Sequence, residues 1–447
     1  MPKTISVITI GCDKNTVDSE HMLGYLKANG YSIAELPEEA DAIIVNTCGF
    51  ITDAKEQSIN TLLSAVQFKK INPGLKVIAY GCMIQKYGTE LAEEIPEIDG
   101  FIGSNSIEML PKILNEIFAE KRVCQISRTA ESSGAFLPRQ LTADSPSSYL
   151  KIAEGCNNRC TYCAIPAMRG SYHSRGIPHL VNEAKYLVDN GIKEISLVAQ
   201  DITRYGIDLY NRISLVQLLE KLVDIDGLRW LRLLYCYPSL IDDNLISFIK
   251  EHSKVCRYLD IPLQHADRDI LKKMGRQQEP EETYRLIQTI KDAIPDVAIR
   301  STFIVGFPGE TKNQFSNLLN FLNKAKLDWV GAFKYSQEVG TIAAAFRDQV
   351  SEEIKEERYQ QLMDLQKDIT SLQNKRWLGR KLPVLVERKW ESNGLLWQGR
   401  IEQQAAEVDG VVYFSTDKHL RPGDFIKAEI TEVEEYDLMG EVINESC

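Results

Sequence analysis

The chain has 447 residues, 44% of them apolar, enough for two or three domains with cores of their own. Its 52 basic side chains face 63 acidic ones, a net charge of −11, so the whole does not offer the basic surface that phosphate-led nucleic-acid binding requires. No run of about eighteen apolar residues occurs, which argues against a membrane span. The start, Met1-Pro2-Lys3-Thr4, enters a strand-like run without a signal-peptide pattern. Ten cysteines in that context point to a reducing, cytoplasmic setting and to metal or redox use rather than disulfides.

Strands are predicted at Ile5–Ile10, Ala42–Thr47 and Lys76–Tyr80, with helical patterns between them. Buried apolar strands alternating with helices imply an open parallel α/β sheet, expected over a domain spanning 1–127. Cys12, Cys48 and Cys82 each fall just past the carboxyl end of one of these strands, 36 and then 34 residues apart. In such a sheet the carboxyl ends of neighbouring strands line one crevice. A lone cysteine after a strand is usually a small buried residue. Three at equivalent addresses point to a shared metal site. Ser, Pro and Gly within Thr129–Ser148 mark a linker.

The run Gly155-Cys156-Asn157-Asn158-Arg159-Cys160-Thr161-Tyr162-Cys163 carries the densest chemical signal, with the spacing C-x₃-C-x₂-C. A ferredoxin-type cluster takes four cysteines. Three leave one iron of a cubane [4Fe–4S] cluster open to another ligand. A zinc site would ask for a fourth Cys or His, and His173, ten residues on, is the only nearby candidate. Further strands are predicted at Tyr149–Ala153, Glu194–Gln200, Trp230–Cys236, Tyr258–Leu263, Ala298–Val305 and Trp329–Tyr335. Six such units give a partial (βα)₆ barrel within a domain spanning 142–377, since a full barrel needs about eight. Gln200 and Asp201 end one strand at the barrel mouth and are candidates for a polar pocket or for structural hydrogen bonding.

Arg300 to Thr311 runs from a strand into a glycine-rich turn containing Gly306, Pro308, Gly309 and Glu310; such a turn alone is weak evidence of function. Tyr335 to Thr341 reads on its residues alone as a capping loop at the barrel's end. Cys124, Cys236, Cys256 and Cys447 match no ligand pattern, and His173 and His265 are taken as loop or pocket residues. Residues 351–377 read as a charged surface helix and connector. Over 380–447, short strands alternate with turns at Asn393-Gly394, Asp409-Gly410 and Arg421-Pro422-Gly423-Asp424, which predicts a small five-stranded antiparallel β-barrel. From Val384 onward six basic side chains stand against fourteen acidic ones, a balance of −8. That surface repels phosphates and suits a basic protein. Glu432, Glu434, Glu435 and Asp437 are expected to face outward together before the last strand.

The Cys156/Cys160/Cys163 spacing, with Tyr162 before the third cysteine, resembles the radical S-adenosylmethionine (radical SAM) superfamily. Two three-cysteine sets followed by a small β-barrel resemble its methylthiotransferase family, across essentially the whole chain. The match runs through Gly11-Cys12-Asp13-Lys14-Asn15, Asn46-Thr47-Cys48-Gly49-Phe50, Gly81-Cys82 and Arg169-Gly170-Ser171-Tyr172-His173-Ser174-Arg175. Lys14-Asn15 and Asp260-Ile261-Pro262-Leu263-Gln264-His265 look like the branch that acts on a ribosomal protein. The transfer-RNA branch, acting on isopentenyladenosine, is the alternative. Asp13 stands where the family usually has proline.

The resemblance implies [4Fe–4S] clusters on Cys12/Cys48/Cys82 and on Cys156/Cys160/Cys163, and S-adenosylmethionine as cofactor. It implies cofactor contacts from Gln200, Asp201, Arg300, Gly306, Pro308, Gly309 and Glu310, and a C-terminal barrel of the TRAM type. The implied substrate is an aspartate of small-subunit ribosomal protein twelve, free or on the small ribosomal subunit. Its β-carbon would receive a methylthio group by radical chemistry, with an electron donor and a sulfur source as further partners. No side chain is assigned a catalytic role.

Overall fold

The computed structural model describes residues 2–104, 106–126, 138–390 and 396–443. The first part of the expected linker, the Asn393-Gly394 turn and Cys447 lie outside them. The chain forms two compact units: Met1–Ala143 with Ala153–Asn158 and Cys163–His179, and Asp144–Ile152 with Arg159–Tyr162 and Leu180–Cys447.

The first unit is built on a parallel sheet. Its elements are β1 (Thr4–Thr9), α1 (Asp13–Ala28), β2 (Ser32–Ile33), β3 (Ala42–Thr47), α2 (Thr52–Gln67), β4 (Lys76–Gly81), α3 (Cys82–Glu94), β5 (Gly100–Gly103), α4 (Leu110–Phe118) and β6 (Val123–Gln125). The strand order is β2-β1-β3-β4-β5-β6. β3 and β4 are buried at every position, which is why Ala42–Val45 and Val77–Tyr80 read as continuous apolar runs. Their alternate residues feed two cores: Ile43, Val45, Val77 and Ala79 pack with Leu62, while Ile44, Ile78 and Tyr80 pack with Met22 and Ile113.

The second unit opens with β7 (Ser147–Lys151), after which β8 (Ala153–Glu154), α5 (Ile165–Arg169) and β9 (His173–Ser174) belong to the first. The chain continues with α6 (Ile177–Asp189), β10 (Glu194–Val198), α7 (Ile207–Tyr210), α8 (Leu215–Val223), β11 (Trp230–Leu233), α9 (Asp243–Glu251), β12 (Val255–Asp260), α10 (Arg268–Lys273), α11 (Pro280–Ala293), β13 (Ala298–Val305), α12 (Lys312–Ala325), β14 (Trp329–Lys334) and α13 (Glu352–Asn374). β7, β10, β11, β12, β13 and β14 make one open parallel sheet, the six strands expected. Their ends differ from the sequence reading for local reasons. The Tyr149–Ala153 run breaks at Lys151, and Ala153–Glu154 pairs instead with His173–Ser174. β11 stops at Leu233, before the left-handed Tyr235 at φ 60°. β12 stops at Asp260, before Pro262 and the left-handed Gln264 at φ 71°.

A closed barrel of β15 (Lys381–Lys389), β16 (Leu396–Arg400), β17 (Val412–Ser415), β18 (Phe425–Glu434) and β19 (Asp437–Val442) ends the unit. It is antiparallel except at one seam, where β17 and β19 run parallel. Closure requires it, because β18 returns to β15 and leaves β19 to bridge the gap. Of the acidic group, Glu432, Glu434 and Glu435 are exposed, and Glu435 pairs with Lys367 at 2.5 Å. Asp437 departs from the expectation: half-buried, it accepts the Val411 N–H at 2.8 Å.

A buried ion group fixes the barrel to the sheet. Glu194 of β10 takes Arg232 Nε at 2.6 Å and Arg400 Nη2 at 2.5 Å, and Arg400 also reaches Glu387 at 2.6 Å. Burial alone would raise the Glu194 carboxyl, but Arg232 and Arg400 outweigh it and hold it down to about 2. Its stabilisation is therefore present above the ordinary glutamate range and lost as pH falls toward about 2. Removing one member leaves buried charge uncompensated, at a cost of about 3–5 kcal/mol. All five tryptophans lie in this unit, so their fluorescence reports on it alone. Glu194→Gln should lower the urea midpoint of that signal at pH 7 and flatten its decline between pH 5 and pH 2.

Candidate functional site

β1, β3 and β4 lie side by side, with Thr9 opposite Asn46 and Thr47 opposite Gly81. Their exits share one sheet edge, and Cys12, Cys48 and Cys82 follow within three residues of them. Glycines let these exits close on one another. A Cβ on Gly11, at φ +108°, would sit 2.8 Å from Cys48 Cβ and 3.1 Å from its Sγ. One on Gly49 would meet Met83 Cα at 2.8 Å, and one on Gly81, at φ +105°, would meet the Thr47 carbonyl oxygen at 2.7 Å. The cradle around the three sulfurs is thus open only to glycine at these positions.

Burial pushes the Cys82 thiol up to about 12; Arg169 opposes this, while Cys12 and Cys48 add to the rise. Cys48 is likewise raised by burial, and Cys12 adds to that rise. Buried thiols such as Cys48 and Cys82, which resist ionisation, would need a metal's positive charge beside them to serve as thiolate ligands. Among the described residues no three His, Cys, Asp or Glu side chains converge as a single-ion site. As a donor set, three cysteines fit three irons of a cubane cluster, one thiolate each, whereas a zinc site would ask for a fourth Cys or His.

A polar web fixes the cradle. Asn15, one turn into α1, donates through Nδ2 to the Ile10 carbonyl at 2.6 Å. Asn46 Nδ2 donates to the Asn15 carbonyl at 3.0 Å and to Ser19 Oγ at 2.9 Å. The Cys48 N–H donates to Ser58 Oγ at 3.0 Å. Helix α5 adds a buried cation. Its Ala164 flank and Met168 pack on Cys82, and Ser104 Oγ donates to the Met168 carbonyl at 3.2 Å. Arg169 then spreads over four partners: Cys82 Sγ at 3.0 Å, Asp18 at 2.7 Å, Glu154 at 3.0 Å and Asn15 Oδ1 at 2.6 Å.

The second cysteine set occupies the loop between β8 and α5. In the first unit, the Cys156 N–H donates to the Gly170 carbonyl at 3.2 Å, and Gly155, at φ +72°, brings the two backbones together. Cys156 Sγ accepts the Asn158 N–H at 3.3 Å, and Cys163 Sγ accepts the Ile165 N–H at 3.5 Å. Backbone N–H bonds to sulfur favour thiolate character. Cys160 belongs to the second unit. There Thr161 exchanges backbone bonds with Met274 and Ala343, both at 2.9 Å, and Tyr162 packs against Met274, Phe307 and Tyr335.

In a parallel sheet the ligand edge is the carboxyl edge. Gln200 and Asp201 follow β10 there, and Gly306 to Glu310 follow β13. Asp201 accepts from the Thr203 N–H at 3.1 Å and Thr203 Oγ1 at 2.6 Å, capping the turn behind it. Glu310 Oε2 accepts the N–H groups of Gly306 and Phe307, and Arg358 lies 3.5 Å from its Oε1. Its carboxylate thereby shapes the glycine-rich loop. His265 is buried, accepts the Asp267 N–H through Nδ1, and has Nε2 3.9 Å from Glu310. Arg300 holds Asp260 at 3.2 Å and Asp409 of the barrel segment at 3.4 Å.

Three family models match the chain: the uncharacterized protein family UPF0004 over residues 4–103, the radical SAM superfamily over 150–322, and the TRAM domain over 378–443. Among curated proteins, the ribosomal protein uS12 methylthiotransferase RimO of Desulforamulus reducens is 44% identical over 440 residues, covering 98% of this chain and 99% of the relative. The protein of the same name from Pelotomaculum thermopropionicum is 45% identical with the same coverage. The chain belongs to the RimO family of radical SAM methylthiotransferases. Among solved structures, the radical SAM methyltransferase TsrM of Kitasatospora setae, with cobalamin and a [4Fe–4S] cluster bound, superposes with a TM-score of 0.57 at 14% identity. That match covers 75% of this chain and 72% of TsrM and supports the fold.

Within this RimO-family chain, Cys236 and Cys256 are buried and Cys124 is exposed on β6. In the sequence, Asn15, Asn46 and Arg169 stand out only as letters of the cysteine motifs. Asn15 had a signal in its i+3 spacing from Cys12; Arg169 had none, because its partners are 15 to 154 residues away. Gly81 and Gly30 separate strain from crowding. Both have positive φ, but a Cβ at Gly30 meets nothing within 4 Å. Gly30→Ala should cost about 1–2 kcal/mol of thermal stability. Gly81→Ala adds a backbone collision, so it should cost clearly more, by circular dichroism of the metal-free chain.

Proposed function

We propose that this chain attaches a methylthio group to the β-carbon of an aspartate of ribosomal protein uS12. The observation that carries the reading is the glycine-lined meeting, on one sheet edge, of the strand exits that bear Cys12, Cys48 and Cys82, together with a separate C-x₃-C-x₂-C run. In this reading Cys156, Cys160 and Cys163 hold one [4Fe–4S] cluster and Cys12, Cys48 and Cys82 a second. With S-adenosylmethionine, the first supplies the radical that opens an unactivated C–H bond, which no ordinary side chain can do.

The chain's own residues bind and orient. Gln200, Gly306, Pro308 and Gly309 offer polar and backbone contacts to S-adenosylmethionine, while Asp201, Arg300 and Glu310 hold that edge in shape. The division into 1–127, 142–377 and 380–447 follows the same logic: sulfur site, radical site, substrate-selecting barrel. The exposed Glu432, Glu434 and Glu435 and the barrel's −8 balance favour a basic protein over RNA. The names of the relatives support the same choice. An electron donor and a sulfur source complete the partners. No helix among the described residues is long and apolar enough to cross a membrane.

The reconstituted enzyme, incubated separately with uS12 and with isopentenylated transfer RNA, should add a methylthio mass to an aspartate-containing peptide of the protein and leave the RNA unchanged. Modification of the RNA alone would contradict the reading.

A further inference from the structure

Arg169 is 2% exposed and lies six residues past Cys163, yet its guanidinium is given to the other cysteine set. Nε donates to Cys82 Sγ at 3.0 Å, Nη2 to Asn15 Oδ1 at 2.6 Å, and Nη1 to Asp18 and Glu154 at 2.7 and 3.0 Å. A charged donor aimed at sulfur is far better matched by a thiolate than by a thiol. The fork is also clamped: two carboxylates and an amide oxygen fix its plane, so Nε cannot turn from the sulfur. Asn15 in turn is tied to the Ile10 carbonyl, so the cation and the Cys12 exit share one support.

We propose that Arg169 is a positioning residue for the Cys12/Cys48/Cys82 site: it holds the Cys82 sulfur as a ligand and raises the reduction potential of a cluster bound there. The proposal rests on the ligand reading above. The physical basis is simple. Reduction adds a negative charge to the cluster, and both a hydrogen bond to a ligand sulfur and a buried cation stabilise that charge. Asp18 works against this by partly neutralising the guanidinium. The two side chains therefore have opposite effects, which a purely structural role would not produce.

The test uses the full chain with Cys156→Ala, Cys160→Ala and Cys163→Ala, so that one cluster remains, and reads its potential by an EPR-monitored redox titration. Arg169→Gln should shift the one-electron equilibrium about tenfold toward the oxidised form, ~59 mV downward. Asp18→Asn should shift it upward, and Arg169→Lys should lie nearer the parent than Arg169→Gln. Loaded variants that keep the parent potential, or that both shift the same way, would overturn the proposal while leaving the ligand reading intact. A triple-alanine chain that takes up no iron would instead overturn the ligand reading, and this proposal with it. If Arg169→Gln fails to fold, the sign of the Asp18→Asn shift decides.

Discussion

In the proposed reading, three thiolates drawn from three separate strands share one cluster, which they can do only if their backbones leave the sheet almost in contact. That constraint organises the first unit. The parallel register puts the exits of β1, β3 and β4 on one edge. Gly11, Gly49 and Gly81 then remove the side chains that would hold them apart. Close backbones bring orphaned polar groups with them, and the amides of Asn15 and Asn46 take up those groups. The helix that follows the second cysteine set completes the web through Arg169.

The strand–helix alternation and the cysteine addresses were legible because they are local. A buried parallel strand announces itself by continuous apolar sequence, and β3 is recovered residue for residue. The six-stranded sheet and the five-stranded barrel follow from the same periodicities. What was not legible depends on distant partners. The parallel β17–β19 seam is set by barrel closure rather than by either strand's own sequence. Asp437 turns partly inward because the Val411 N–H needs an acceptor, and nothing near Asp437 in the sequence says so. Arg169 reads as one letter of a loop motif, yet it reaches Asp18 across 151 positions. Asp201 and Glu310 stand at the carboxyl edge, but their carboxylates face their own turns, which no local pattern announces.

The second unit joins a parallel sheet to a closed barrel through buried charge. The Glu194, Arg232 and Arg400 group fastens the barrel to the sheet, together with Leu385 and Ala405 packed among Trp230, Tyr258 and Trp329. A barrel fastened by buried ions keeps its acidic strands in a fixed place on that unit. In the proposed reading its charge selects and steers a basic partner, an effect that reaches about 8–10 Å at ordinary ionic strength.

The claim on which the account turns is that both cysteine sets hold clusters. Iron and labile sulfide should be counted per chain after anaerobic reconstitution, in the parent and in a chain with Cys12→Ala, Cys48→Ala and Cys82→Ala. The account predicts the iron of two [4Fe–4S] clusters in the parent and half of it in the variant, with S-adenosylmethionine cleavage still detectable. A fully loaded parent that binds the iron of only one cluster, unchanged in the variant, would contradict it.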